Sequence, residues 1–240
     1  ENVVYVEPDY EFTVNSVTPN DTYFSRLYGM TNIQAPEAWE INTEAEDIVV
    51  GVIDTGIDYT HPDLADNIWT NPGEIPNNNI DDDGNGYIDD IHGWDFYYND
   101  NNPIDGQSHG THVAGTIGAV GNNNRGVVGV TWNVKLAALK FLSASGSGYA
   151  SDAIEAINYA RNMDISITNN SWGGYSYSQA IRDAIEAYDG LFIAAAGNEG
   201  VDTDRISHYP SGYDLPNIIS VAATDQYDNK PNFSNYGDIT

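Results

Sequence analysis

The sequence predicts an α/β domain built on a mainly parallel central sheet flanked by helices. Three observations carry that expectation. Short runs of β-branched and small apolar residues recur along the chain, and helical patterns lie between them. One run, "DIVVGVID" at 47–54, holds Ile48, Val49, Val50, Val52 and Ile53 without polar alternation. Such a run suits a strand buried on both faces, as parallel strands are. Strands alternating with helices imply right-handed crossovers that lay helices on the sheet.

In order, "VYV" at 4–6 carries a short strand signal. Ala35-Pro36, followed by Glu37, Ala38, Trp39 and Ile41, reads as a short helix with Pro in its first turn. After the 47–54 strand comes a long polar stretch, 55–108, rich in Asn, Asp, Gly and Pro. "THVAGTIGAV" (111–120) is small and apolar and predicts a tightly buried helix, with His112 inside it. "VKLAALKFL" (134–142) predicts a strand. Residues 151–163 place Ile154, Ile157 and Ala160 at helical spacing, with Ser151 as N-cap. A strand is expected at 164–172. A helix should run over 178–190, from Ser178 as N-cap to Gly190 as its stop. Strands follow at 191–198 and 218–225. There is no repeat of fixed period.

The composition narrows function. The 240 residues contain no Cys, which excludes disulfides, thiol chemistry and Cys-based zinc sites. No apolar run approaches the roughly 18 residues of a membrane-spanning helix. Asp and Glu number 36 against 8 Lys and Arg, a formal charge of −28. Nucleic acid and anionic membranes are poor partners for such a surface. Three explanations of the charge stay open: a solvated acidic surface, several Ca²⁺ sites, or adaptation to high salt.

Functional residues of an open α/β sheet gather at the carboxyl ends of its strands. Asp54 ends "IVVGVI", Asn198 ends "LFIAAAG", and Ser171-Trp172-Gly173-Gly174 follows "ISITNN". His109, in "SHGTHVAGT", opens the expected buried helix. A carboxylate can hold an imidazole tautomer and stabilise its protonated form. An Asn amide can donate to a developing oxyanion. Two other patterns are rejected. "GQSHG" (106–110) matches a nucleophile elbow, but loop rather than strand precedes Ser108. His109 and His112 have chelating spacing but lack the Glu of a zincin motif.

"VIDTGID", "SHGTHVAGT", "NNSWGG" and "AAAGNEG" occur in that order, and together they resemble the subtilisin-like serine proteases, the subtilases. The resemblance implies a three-layer fold and a secreted endopeptidase cutting peptide bonds through an Asp-His-Ser triad. Asp54 would be the triad aspartate, His109 the general base and Asn198 the oxyanion-hole amide. Ser171, Trp172 and Gly173 would line the substrate cleft. Gly146, Ser147 and Gly148 would form the edge that pairs with substrate backbone. The family's nucleophile sits in a Gly-Thr-Ser-Met-Ala motif well beyond the oxyanion Asn. Ser207, Ser211, Ser220 and Ser234 are not in that context. The expectation is therefore a catalytic domain over 17–240 whose Ser lies beyond residue 240, inactive without that segment. A non-catalytic, calcium-binding pseudoprotease that binds peptides is the alternative. Residues 1–16 resemble the tail of the subtilase propeptide, the family's inhibitor and folding aid, which implies zymogen maturation.

Two calcium sites are expected. In "IDDDGNGYIDD", Asp81, Asp83, Asn85, the Tyr87 carbonyl and Asp89 occupy EF-hand-like positions around Gly86. His92 stands where the closing Glu belongs, and Asp90 could substitute for it. Clustered carboxylates repel unless a cation bridges them. The family resemblance implies a second site from Asp21, Asp63, Asn123 and the carbonyls of Gly121, Arg125 and Val127. Arg125 fits only if its side chain points outward.

Overall fold

A computed structural model describes residues 5–10 and 16–238. In chain order the elements are α1 (Tyr28–Asn32), α2 (Ala35–Trp39), β1 (Glu44–Asp54), β2 (Gly93–Asp95), α3 (His109–Gly118) and β3 (Asn133–Lys140). Then come α4 (Ala150–Asn162), β4 (Ile167–Asn170), α5 (Gln179–Glu186), β5 (Leu191–Ala195) and β6 (Ile218–Val221).

The six strands form one sheet in the order β2-β3-β1-β4-β5-β6. Every pairing within it is parallel. Side-chain alternation along the strands builds the layers. Val50, Val52, Leu136 and Ala138 point to one face and pack with Ala114 of α3. Ile53, Ala137, Leu139 and Phe192 point to the other and pack with Ala153, Ala156 and Ile157 of α4 and Ile185 of α5. The result is a three-layer α/β/α domain. Each fully buried Ile, Leu or Phe side chain contributes about 1.5–3 kcal/mol of transfer free energy. A smaller cluster of Met30, Ala35, Trp39 and Val128 fastens the first two helices to the body. There the Trp39 indole donates to the Val130 carbonyl at 2.9 Å.

The chain leaves β1 toward β3 and leaves β4 toward β5, so its direction of winding reverses between these adjacent strands. Such a reversal opens a crevice at the carboxyl ends. Asp54 ends β1 and Ser171 follows β4, one on each side of that crevice.

Several boundaries differ from the sequence reading. Helix α3 begins at His109, as expected for the residue that opens it, but His112 lies exposed on it, where a buried side chain was expected. Helix α4 begins at Ala150 with Tyr149 at its N-cap, and the Ser151 hydroxyl donates to Asp152 instead. Ser178 caps α5 as expected, accepting from Ile181 N, but α5 stops at Glu186, short of Gly190. Strands β3, β5 and β6 stop before their expected runs end, because the run continues into the loop that leaves the sheet, and β4 is shorter than 164–172 at both ends. Strand β2 falls inside the stretch read as polar loop. Its three residues are too few to show a period. Pairing to β3 defines it, and Gly93 permits it: at φ 114°, a Cβ there would lie 2.1 Å from the Ala138 carbonyl oxygen. Of the 4–6 strand signal, Tyr5 and Val6 are exposed and outside any strand, and Val4 lies outside the described residues.

Candidate active site

Asp54 is fully buried at the end of β1. Its Oδ1 accepts from His109 Nδ1 at 2.7 Å and from Thr55 N at 2.7 Å. Its Oδ2 is buried with no hydrogen-bond partner. A carboxylate at Nδ1 makes that nitrogen the donor, which leaves Nε2 as the free base. The His109 side chain is 46% exposed, so the imidazole bridges a buried anion and open solvent.

The start of α3 is held against β1 by close approach and by a polar staple. A Cβ on Gly110 would fall 2.1 Å from the Gly56 carbonyl oxygen, so only glycine lets helix and strand end meet. Gly110 N donates to Thr55 Oγ1, and that hydroxyl donates to Asp105 Oδ1. Asp105 also accepts from Gln107 N, Ser108 N, Thr111 N and Thr111 Oγ1. Burial alone would raise its carboxyl. The hydrogen bonds from Thr111, Gln107 and Ser108 outweigh that and hold it below the usual carboxylate range. Ser108, the residue before His109, sits at φ 86°, in the left-handed region that non-glycine residues seldom occupy. It follows a loop, not a strand, as the rejected elbow required.

His109 faces a cleft of about 770 Å³. Gly146, Ser147 and Gly148 line one side, and Ser171, Trp172 and Gly173 line the other. Apart from His109, none of its lining side chains belongs to a charged residue type, in a chain of net charge −28. Asn198 is exposed beyond β5, on the same sheet edge as Asp54. Its loop is braced by Asn235, which donates to the Ala196 carbonyl and to Glu199 Oε2 and accepts from Glu199 N and Val201 N. His208 lies buried behind the cleft, with Nδ1 3.2 Å from Ser211 Oγ. Burial lowers its pKa, and the nearby Glu199 partly opposes the shift.

The model of the Subtilase family matches residues 45–240. This chain belongs to the subtilase family. It is 37% identical to the thermophilic serine proteinase of Bacillus sp. strain AK1 over 98% of its own length and 53% of that protein. It is also 37% identical to thermitase of Thermoactinomyces vulgaris, over 92% of the chain and 71% of thermitase. The chain therefore spans about half the length of the first of these relatives. Among solved structures, a protease of Pseudoalteromonas arctica superposes with a TM-score of 0.71 at 25% identity, covering 93% of this chain and 70% of that one. A psychrophilic subtilisin-like protease from Pseudoalteromonas sp. AS-11 gives 0.63 at 30% identity, over 88% and 44%.

This subtilase carries two acidic loops at the positions expected for cations. Glu74, Asp83 and Asp90 bring carboxylate oxygens within 4.8 Å of one another, close enough for one metal ion to be held among them. Asp90 is fully buried, and burial raises its carboxyl pKa. Hydrogen bonds from Tyr159, Asn71 and Asn85 oppose the rise, and Asp83 adds to it. Among the described residues no ion pair offsets these three acids. The EF-hand-like alignment is only partly reproduced. Asp81 turns back to accept from Gly84 N, Asn85 N and Gly86 N. Asp89 accepts from Asn78 N and Asn79 N. Asn85 donates its amide to Asp83 and Asp90, and its oxygen accepts from Tyr87 N. Glu74 lies outside the motif and was invisible to it.

At the second loop Asp21 Oδ1 is buried without a partner, while Oδ2 accepts from Asn122 N. Burial raises the Asp21 carboxyl, hydrogen bonds from the Asn122 and Asn123 backbone lower it, and Asp63 adds a push upward. Asp63 accepts from the Asn123 amide and from Val127 N. The Arg125 side chain is exposed and reaches the Pro62 carbonyl, while its own carbonyl accepts from Thr22 N. Gly121 stands against Trp132 at the start of this loop.

Proposed function

We propose that this chain is the greater part of the catalytic domain of a secreted, calcium-stabilised serine endopeptidase. The carrying observation is the 2.7 Å contact from His109 Nδ1 to a fully buried Asp54, opening onto an uncharged cleft. In this reading His109 Nε2 takes the proton of an attacking serine hydroxyl and returns it to the leaving amine. Asp54 fixes the tautomer and stabilises the imidazolium. Asn198 donates to the oxyanion, from a loop that Asn235 holds in place. An extended peptide pairs between Gly146–Gly148 and Ser171–Gly173, so backbone hydrogen bonds supply affinity.

We place the nucleophile beyond residue 240. Among the described residues, no serine hydroxyl hydrogen-bonds to His109. Residues 17–240 are assigned to the catalytic domain and 1–16 to the tail of an inhibitory propeptide. Both acidic loops suit a hard cation with oxygen ligands: the orphaned Asp21 oxygen beside Asp63, and the uncompensated Glu74, Asp83 and Asp90. Bound Ca²⁺ would supply neutralising charge there, with Asp81, Asn85, Asp89 and the Tyr87 carbonyl shaping the first loop.

The test is labelling with a serine-directed fluorophosphonate. The intact protein should take up one equivalent, on a serine downstream of residue 240, and a His109→Ala variant should react far more slowly. Absence of labelling in the intact, folded protein would favour the pseudoprotease reading.

A further inference from the structure

Lys140 is one of only eight Lys and Arg residues in the chain, and it is almost completely buried. It ends β3, flanked in register by Asp54 of β1 and Asp95 of β2. Its ammonium stands 3.6 Å from Asp95 Oδ2 and donates to the carbonyl of Leu142. It also lies 5.7 Å and 5.5 Å from the ring centroids of Tyr97 and Tyr98. Asp95 Oδ1 accepts from the backbone N–H of both tyrosines, at 2.9 Å and 3.0 Å, and so sets the rings on the cation. The Asp95 carboxyl is pushed up by burial and pulled down by the Tyr98 hydrogen bond and by Lys140.

Two paths lead from this ammonium to the cleft. The first is backbone. Phe141 N and Leu142 N both donate to the Asp54 carbonyl, at 3.1 Å and 3.2 Å, so the chain bends over the strand end that carries the triad aspartate. Lys140 binds the Leu142 carbonyl that this bend directs inward. Ser143 N then donates to Ser147 O, and Gly146 N to Ser143 O, which closes the turn of the cleft edge. Gly148 backs directly onto the Phe141 carbonyl, where a Cβ would fall 2.2 Å from the oxygen. The second path is aromatic. Tyr97 stacks on Tyr149 of the cleft wall, with centroids 6.3 Å apart and planes at 5°.

We propose that Lys140 and Asp95 are positioning residues for substrate binding. They hold the 143–148 edge in register with the Asp54–His109 pair and touch neither substrate nor imidazole. Neither residue is needed to close the sheet, because the β3 backbone already pairs on both sides. A buried ion pair adds little to stability by itself, and orienting the neighbouring cleft edge is the role we assign to this one. The proposal rests on the protease reading of the same cleft.

The experiment compares the intact protein with Lys140→Met and Asp95→Asn variants on two substrates. One is a peptide long enough to pair along the edge; the other is a single-residue ester that cannot reach it. We expect KM for the long peptide to rise on the order of tenfold, with kcat and all ester kinetics within about twofold. Equal losses on both substrates, or no loss on either, overturn the proposal. Asp95→Asn keeps the shape and the acceptor for Tyr97 and Tyr98, so it carries the test if Lys140→Met does not fold. If the unaltered protein hydrolyses neither substrate, the protease reading fails, and amide hydrogen exchange decides the positioning role separately. Faster exchange at 143–149 with β1 unchanged supports it, and unchanged exchange at 143–149 overturns it.

Discussion

Asp105 Oδ2 accepts two hydrogen bonds from Thr111, one from the backbone N–H at 2.9 Å and one from the hydroxyl at 2.6 Å. Its other oxygen takes the Thr55 hydroxyl and the N–H groups of Gln107 and Ser108. One carboxylate thus satisfies the Thr111 N–H in the first turn of α3 and the N–H groups of the two residues before the helix, and ties them to Thr55, the residue after Asp54. The geometry of the Asp54–His109 pair depends on a side chain that touches neither member.

Replacing Asp105 by Ala should therefore cost both stability and activity. Loss of the cap and of the half-buried acceptor is worth about 1–2 kcal/mol. It should appear as a lower urea midpoint and as a kcat reduced more than KM is raised. The folded carboxyl is depressed below its unfolded value. Its contribution is therefore fully present above the ordinary Asp range and lost as pH falls through the folded value. The Asp105→Ala penalty measured by urea unfolding should shrink in that acid window; a penalty constant from pH 7 to 3 would contradict this.

Gly110→Ala should be more damaging than its size suggests. The added methyl meets the Gly56 carbonyl oxygen and the Asp54 side chain, neither of which can retreat without moving β1. Overpacking of this kind costs about 1–3 kcal/mol or more. The accompanying displacement of His109 should reduce fluorophosphonate labelling of the intact protein. Gly115→Ala, on the same helix with open space around it, serves as the control and should be tolerated.

His208 predicts the slope of stability with pH. Burial lowers its folded pKa, so below the ordinary His value the unfolded chain binds the proton first. Stability should fall as pH drops through about 6.5 and go on falling to the depressed folded value. His208→Asn should flatten the melting temperature between pH 7 and pH 5. An unchanged slope would remove His208 as its cause.

Removal of divalent cations should lower the melting temperature at pH 7. A ligand present at one hundred times its Kd stabilises by about 2.7 kcal/mol per site. Asp90→Asn and Asp21→Asn should each abolish part of the response to added Ca²⁺, independently, because the two loops share no residue. Identical melting in EDTA and in Ca²⁺ would rule out both sites.

Much of this was legible in the residues. The five segments read as strands, at 47–54, 134–142, 164–172, 191–198 and 218–225, each hold a strand of one parallel sheet, because β-branched and small apolar residues cluster in them along the chain. The motifs around Asp54, His109 and Asn198 pointed to the subtilase family, and Asp54 and His109 do meet, at 2.7 Å, since each motif consists of neighbours along the chain. Contacts between distant segments were hidden. Glu74 joins Asp83 and Asp90 through loop folding, and β2 exists only by pairing with β3. Asp105 reaches Thr55 across 50 positions, and Lys140 meets Asp95 across neighbouring strand ends. Local pattern reports what a residue does to its own backbone. Which buried charges meet, and which loop edges the cleft, depends on long-range packing that no periodicity records.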